Sequence, residues 1–239
     1  MKISRKWLNR LVEIEDISTK ELADTLTSAG LEVEGIEQLA HGTGLVIGEV
    51  LTCVDHPDSD HLHVTTVSIG DKIEQIVCGA PNVAAGQKVI VATVGAILPA
   101  IEIKAATVRG IESNGMICSL KELGVDQKLQ SEQDLEGIKV LSPEAIVGTD
   151  PLQYLGLDDE ILDIKQTPNR SDFNAMQSIA YEVSALFKRP FITQPVESNL
   201  YSGKPSEFEV SSNTTNCQFF LAKEVSGLEL NESPQWIQQ

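Results

Sequence analysis

Five potential metal ligands fall within eight positions of this chain: His56, Asp58, Asp60, His61 and His63. Imidazole nitrogens and carboxylate oxygens are the usual non-thiol ligands of zinc. Pro57 and the Asp58-Ser59 pair read instead as turn chemistry, in which an Asp side chain bonds nearby backbone amides. His61 and His63 are then expected on one face of an exposed strand, and no metal is assigned. The run CGAPNVAAGQ at 78–87 could cradle an anion on successive backbone amides. It lacks the Gly-Lys-Ser/Thr ending that sets a lysine on a phosphate and a hydroxyl on magnesium. A turn between strands, with Gly79 and Gly86 at unusual φ and Pro81 preset, accounts for it better.

Nucleophilic chemistry is no better served. There is no Ser-His-Asp order, no pair of carboxylates in raised-pKa surroundings and no cysteine beside a base. Cys53, Cys78, Cys118 and Cys217 are widely spaced and form no C-x-x-C pair, so they read as reduced, mostly buried thiols. No catalytic residue is assigned. The string TPNRSD has a structural reading: Pro168 holds Thr167 extended, Asn169 bonds its own loop, and Ser171 or Asp172 caps the following helix. Arg170 is expected to make an ion pair or to pack on that helix.

These residues need elements to carry them. Ser18 with Glu21 three positions on is a capping-box pattern. Leu22, Leu26 and Ala29 continue it as an apolar stripe, and Gly30 stands where a left-handed cap is wanted. A shorter helix over 6–12 is expected to bury Trp7, Leu8 and Leu11, and residues 31–36 to return as a strand. From Leu45 the period becomes alternating, and five strands are predicted at 46–54, 62–69, 73–78, 88–94 and 137–141. Gly70-Asp71 supplies a two-residue hairpin. Five such strands match the OB barrel. After Pro151, a strand at 161–164, a loop at 167–170 and a helix starting near Ser171 follow. Phe173, Met176, Ile179, Ala180, Val183, Leu186 and Phe187 form its apolar face, and Lys188-Arg189-Pro190 ends it. A further strand is predicted at 218–224.

The 239 residues allow one or two domains. Eighteen Lys and Arg against 35 Asp and Glu give a net charge of −17, which argues against any mode of binding that needs a strongly basic surface. No signal peptide and no run of about 18 apolar residues is evident, so a cytoplasmic chain without a membrane span is expected.

The ordered segments HPDSDHLHVTTVSIGD, IVCGAPNVAAGQKVIVA, GAILPA, RGIESNGMICS and KELGV together resemble the EMAP-like tRNA-binding OB module. With TPNRSD they resemble the start of the bacterial phenylalanyl-tRNA synthetase beta-subunit family. The resemblance implies an α+β fold in which a five-stranded OB barrel, residues 41–150, is inserted into a discontinuous α/β domain formed by 1–40 and 151–190. Residues 191–239 would then open a tRNA-editing domain that is cut short. It also implies a ligase that joins phenylalanine to tRNA(Phe) with ATP and magnesium, an alpha subunit carrying that chemistry, and a heterotetramer of two αβ pairs. No cofactor and no DNA partner are expected for this stretch.

Within the barrel seven basic residues face fifteen acidic ones, and no Phe, Tyr or Trp stands between Leu45 and Leu141. Base stacking of the kind single-strand binders use is therefore not expected. Lys72, Lys88, Lys104 and Arg109 are the candidate nucleic-acid contacts; Thr167, Pro168, Asn169 and Arg170 are a structural motif. Where Lys is usual in this family, His61 stands here, which weakens local RNA-contacting charge. Two other readings stay open: a stand-alone tRNA-binding or RNA-chaperone OB protein, and a subunit-association scaffold without RNA affinity.

Overall fold

A computed structural model describes residues 1–193, 210–217, 219, 220, 222, 224–230, 233 and 237. Two units are distinguished, Met1–Phe191 and Ile192–Gln238. The expected strand at 218–224 and the SPQWIQQ segment at 233–239 fall largely outside the described residues.

The chain opens with β1 (Lys2–Ser4), α1 (Arg5–Asn9), α2 (Thr19–Ser28) and β2 (Val33–Gln38). Ser18 caps α2 by accepting from the Glu21 amide, while the reciprocal bond of a full capping box is absent. Gly30 follows at φ +93, and the Leu31 amide reaches back to the Leu26 carbonyl at 2.9 Å, the wrap-around that ends a helix at a left-handed residue. The first helix is shorter than expected. Leu8 and Leu11 are buried, but Trp7 is 57% exposed, because α1 stops after little more than one turn and aims Trp7 outward.

The middle of the chain forms β3 (Leu45–Asp55), β4 (His63–Ser68), β5 (Ile73–Cys78), β6 (Lys88–Ala92), β7 (Ala106–Val108), β8 (Ile111–Ser113), β9 (Met116–Ile117), α3 (Glu132–Leu135) and β10 (Val140–Leu141). Antiparallel pairing runs β10-β6-β3-β4-β5, with β9 also on β6. Gly70, at φ +105, turns β4 into β5 as expected of a two-residue hairpin, with the Ile69 amide on the Lys72 carbonyl. The fifth strand differs from the sequence reading. It is split into β9 and β10, which lie in tandem along the same edge of β6. The Lys139 amide donates to the Cys118 carbonyl at 3.2 Å across the break.

Closure between β5 and the other edge is made by side chains as much as by backbone. The Asn114 amide donates to the Gln75 carbonyl, and Gln75 Nε2 donates to the Glu112 carbonyl, both at 2.8 Å. Buried Ser113 accepts from the Val77 amide and donates to the Gly115 carbonyl. Gly115 passes between β5 and β6 at φ +148, where a Cβ would meet the Ala92 carbonyl oxygen at 2.9 Å and Ile76 at 3.2 Å. The sheet is therefore nearly closed. Inside it, Ile47, Ile90 and Leu123 are fully buried in one cluster, and Val50, Val67, Ile76 and Val89 in a second.

After the barrel come α4 (Pro151–Leu155), β11 (Glu160–Ile164) and α5 (Met176–Phe187). β11 is the central strand of a three-stranded antiparallel sheet ordered β1-β11-β2. Ile3, Leu162 and Ile164 join Leu8, Leu22, Leu26, Ile179 and Val183 in a core between that sheet and the helices. Helix α5 starts later than expected. Ser171–Phe173 is a separate tight turn of helix, and neither Ser171 nor Asp172 caps α5, whose N-cap is Ala175 with no side-chain bond. Lys188 ends it in the left-handed region, and Arg189 pairs with Asp16 at 2.6 Å.

A buried carboxylate ties the sheet to the first helix. Asp159 accepts from the Lys6 amide at 3.0 Å, from the Glu160 amide at 2.8 Å and from the Ser4 hydroxyl, whose oxygen in turn accepts from the Trp7 amide. Truncating Asp159 strands these donors in a buried place. Asp159→Ala is expected to lower stability by about 1–3 kcal/mol in urea unfolding, with Ser4→Ala showing a smaller loss; no change in midpoint would refute the role.

Burial, followed by the nearby Glu122 carboxylate, pushes the Cys118 thiol up to about 12. Between the ordinary thiol value of 9.0 and that figure, the unfolded chain releases a proton that the folded chain keeps, so this group lowers stability as pH rises through the window. The native protein is expected to leave Cys118 unmodified by a maleimide at pH 8 until denaturant is added, as peptide mass mapping would reveal; rapid native labelling would contradict the packing.

Candidate nucleic-acid interface

The histidine-rich loop after β3 is built around its own turn. Buried His56 accepts the Asp58 amide on Nδ1 at 3.1 Å, which leaves Nε2 to donate to the Val108 carbonyl at 3.3 Å. The His56 amide donates to the Leu62 carbonyl, and the His61 amide to the Ser59 hydroxyl. His63 pairs with Asp55 at 3.3 Å, its register partner on β3. His61 lies before β4 and not on its face, a correction to the expected strand, because the turn closes only at Leu62. Among the described residues no three His, Cys, Asp or Glu gather as a metal cluster. At the next turn, Gly86 has φ +86 as expected, whereas Gly79 does not; there the constraint is Leu62, 3.3 Å from where a Cβ would stand.

The turn of the β7–β8 hairpin carries Arg109 and Gly110, both with positive φ, +46 and +87. Two successive left-handed residues are what a tight hairpin matching strand twist requires. A Cβ makes that conformation unfavourable for Arg109, and its guanidinium is anchored instead by donating to the Asp58 carbonyl at 2.7 Å. Together with the His56–Val108 bond, this stitches the hairpin to the histidine-rich loop. The hairpin was missed in the sequence; its signal was the Arg-Gly pair between the short alternating runs ATV and IES.

The four candidate cations are not gathered into one patch. Lys104 is exposed on the stretch before β7 and pairs with equally exposed Glu102 at 3.3 Å, a pairing worth little in water. Arg109 is exposed at the hairpin tip. Lys72 stands at the β4–β5 turn, where the hydrogen bond from Glu74, at 2.7 Å, and then its charge raise the ammonium pKa. Lys88 is the least accessible, its side chain 15% exposed, and it bonds its cross-strand partner Glu49 at 2.6 Å. Lys121 and Lys128, not selected from sequence, lie between β9 and β10, and no ion pair is recorded for either. Nothing in their local sequence marks them.

In TPNRSD, Thr167 to Arg170 forms a turn closed by the Arg170 amide on the Thr167 carbonyl at 3.0 Å. Arg170 forks onto both carboxylate oxygens of Asp172 at 3.2 and 3.1 Å, reaches Glu182 on α5 at 3.5 Å, and lies 3.6 Å over the Phe173 ring. The bond from Arg170 holds the Asp172 carboxyl below its ordinary value. This carboxylate is thereby committed to Arg170, which explains why it caps no helix. Pro168 and Asn169 shape the turn between β11 and this cluster.

A family model described as a putative tRNA binding domain matches residues 45–150, the span of the barrel and its closing segments. The whole chain is 44% identical over 245 residues to the phenylalanine-tRNA ligase beta subunit of Bacillus subtilis (strain 168). It is 43% identical to that of Halalkalibacterium halodurans and 41% identical to that of Bacillus cereus, each over 244 residues. In all three cases it spans 30% of the relative's length. Aligned from end to end with these subunits and carrying their tRNA-binding module as a nearly closed barrel, the chain belongs to the phenylalanine-tRNA ligase beta-subunit family.

Proposed function

We propose that the chain serves as the tRNA-contacting and architectural part of a phenylalanine-tRNA ligase, the enzyme that attaches L-phenylalanine to tRNA(Phe) at the expense of ATP. The observation that carries this reading is the match of all 239 residues to the beta subunits at 41–44% identity. On this reading the barrel is an insertion in a discontinuous α/β domain, 1–40 with 151–190. Support comes from β11, a strand after the barrel, lying between β1 and β2, two strands before it. Residues 191–239 open an editing domain, the alpha subunit carries the adenylation chemistry, two αβ pairs associate, and the assembly works in the cytoplasm. ATP and magnesium belong to that holoenzyme. The described residues offer neither a cluster of metal ligands nor a lysine-ended phosphate loop, so no residue of this chain is assigned to either.

The barrel's share of tRNA binding falls to Arg109 and Lys104, the two exposed candidates on the stitched hairpin and the stretch leading into it. Lys72 and Lys88 already hold carboxylates at 2.7 and 2.6 Å, which favours structural roles for them. The same pairing, with the net charge of −17, supports the second reading of a scaffold that meets tRNA weakly or not at all.

Titration of the chain with a tRNA(Phe) transcript at about 50 and about 200 mM salt separates the two. Phosphate contacts must make affinity fall with salt, by a log–log slope near −0.9 per contact on duplex. Replacing Arg109 and Lys104 together by Ala is expected to make that slope shallower by about one to two contacts. Absence of binding at the lower salt would leave the scaffold reading standing.

A further inference from the structure

The break in the fifth strand opens a cleft of about 700 Å³. Residues 119–139 leave the barrel wall at Cys118, return at Val140 and roof the space between themselves, β9 and the end of β5. Asn82 holds the returning end, with its amide nitrogen on the Ile138 carbonyl at 2.9 Å and its oxygen accepting from the Ile138 amide at 3.0 Å. A Cβ at Gly137 would collide with the Asn82 side chain, so Gly at this position allows the clamp to form.

One side of the cleft is apolar, with Met116, Ile117 and Val125. The other carries an unanswered acceptor. Gln130 spends its amide nitrogen on the Val125 carbonyl at 2.8 Å, and its Oε1 is buried with no hydrogen-bond partner. Folded proteins rarely leave a buried carbonyl oxygen empty, and each exception calls for an explanation. The charged residues around the cleft are Glu122, Asp134 and Glu136 against Lys121. Asp134 is taken up by Lys139 and Ser131, and Glu122 by Ser119, which leaves the exposed Glu136 carboxylate without a recorded partner.

An unfilled acceptor, an excess of negative charge and an apolar flank together specify a ligand. We propose that this cleft binds a primary amine or guanidinium borne on a short apolar stem. An N–H of the ligand donates to Gln130 Oε1, its charge is balanced by the carboxylates, and its stem lies along Met116, Ile117 and Val125. The site is independent of tRNA, since phosphate would be repelled by the same lining. The chemistry could be presented by a free small amine or by an Arg side chain of a protein partner.

The test is a titration of the isotope-labelled 239-residue chain with agmatine to about 10 mM, followed by NMR. Expected are shifts at the Gln130 side-chain amide and at the methyls of Ile117 and Val125, with no response to neutral valeramide or to AMP. Gln130→Leu should weaken binding about tenfold or more, and Gln130→Glu should tighten it. Glu136→Gln, a surface change that leaves the roof intact, should weaken it about twofold to fivefold and decides the matter if Gln130→Leu disturbs folding. Tighter binding of acetyl-Gly-Arg-Gly-amide than of agmatine would assign the source to a protein side chain; the reverse would assign it to a free amine. Equal response to valeramide or AMP, no response to agmatine, or affinity unaffected by both Gln130 variants would overturn the proposal and give Oε1 to solvent.

Discussion

Everything outside the barrel depends on five residues, 160–164, lying between two strands that precede them by more than a hundred positions. β1 and β2 do not pair with each other; each pairs with β11. Without β11, both lose every cross-strand bond, and the apolar face formed by Ile3 and Leu162 has nothing to cover. The long separation is tolerable because the chain departs and returns at adjacent points. Gln38 is the register partner of Glu160, and the Leu39 amide reaches the Asp159 carbonyl at 3.4 Å. Closing a loop costs free energy only as the logarithm of its length, so whatever lies between those points can be large if it folds by itself. Asp159 sits at this junction and fixes the start of α1 as well, so sheet, helix and barrel exit share one buried carboxylate.

Electrostatics set the terms on which such a chain could meet RNA. With nearly twice as many acids as bases, its long-range field repels a polyanion, and steering of the kind basic proteins enjoy is not available. Any contact must then come from a few cations held close to the phosphate by a stiff support. The β7–β8 hairpin is such a support: its turn is forced by two left-handed residues and locked to the histidine-rich loop at two points. His56 therefore contributes through the hairpin it braces, not through a metal.

Elements whose side chains answer to their own backbone were legible in the sequence. The Ser18 cap, the Gly30 stop, the Gly70 turn and the alternating runs of β3 to β6 each follow from local chemistry, and each lies within a residue or two of its expected place. What was not legible depended on partners far away. Trp7 looked like core until α1 proved too short to turn it inward, and the start of α5 moved because Asp172 prefers Arg170 to a helix amide. β9 has only two residues, too few to show a period, and is a strand because β6 offers it an edge. The candidate site divided the same way: the Glu49–Lys88 pair could be seen only once the register of β3 and β6 was known.

The seam in the barrel's last wall has a consequence for how the module can vary. Departure at Cys118 and return at Lys139 are hydrogen-bonded to one another, and Asn82 grips the return independently of what the intervening residues do. The wall is therefore complete without them. Relatives of this module are free to lengthen, shorten or replace that stretch while keeping barrel register, so a new specificity can be grafted there without refolding its host.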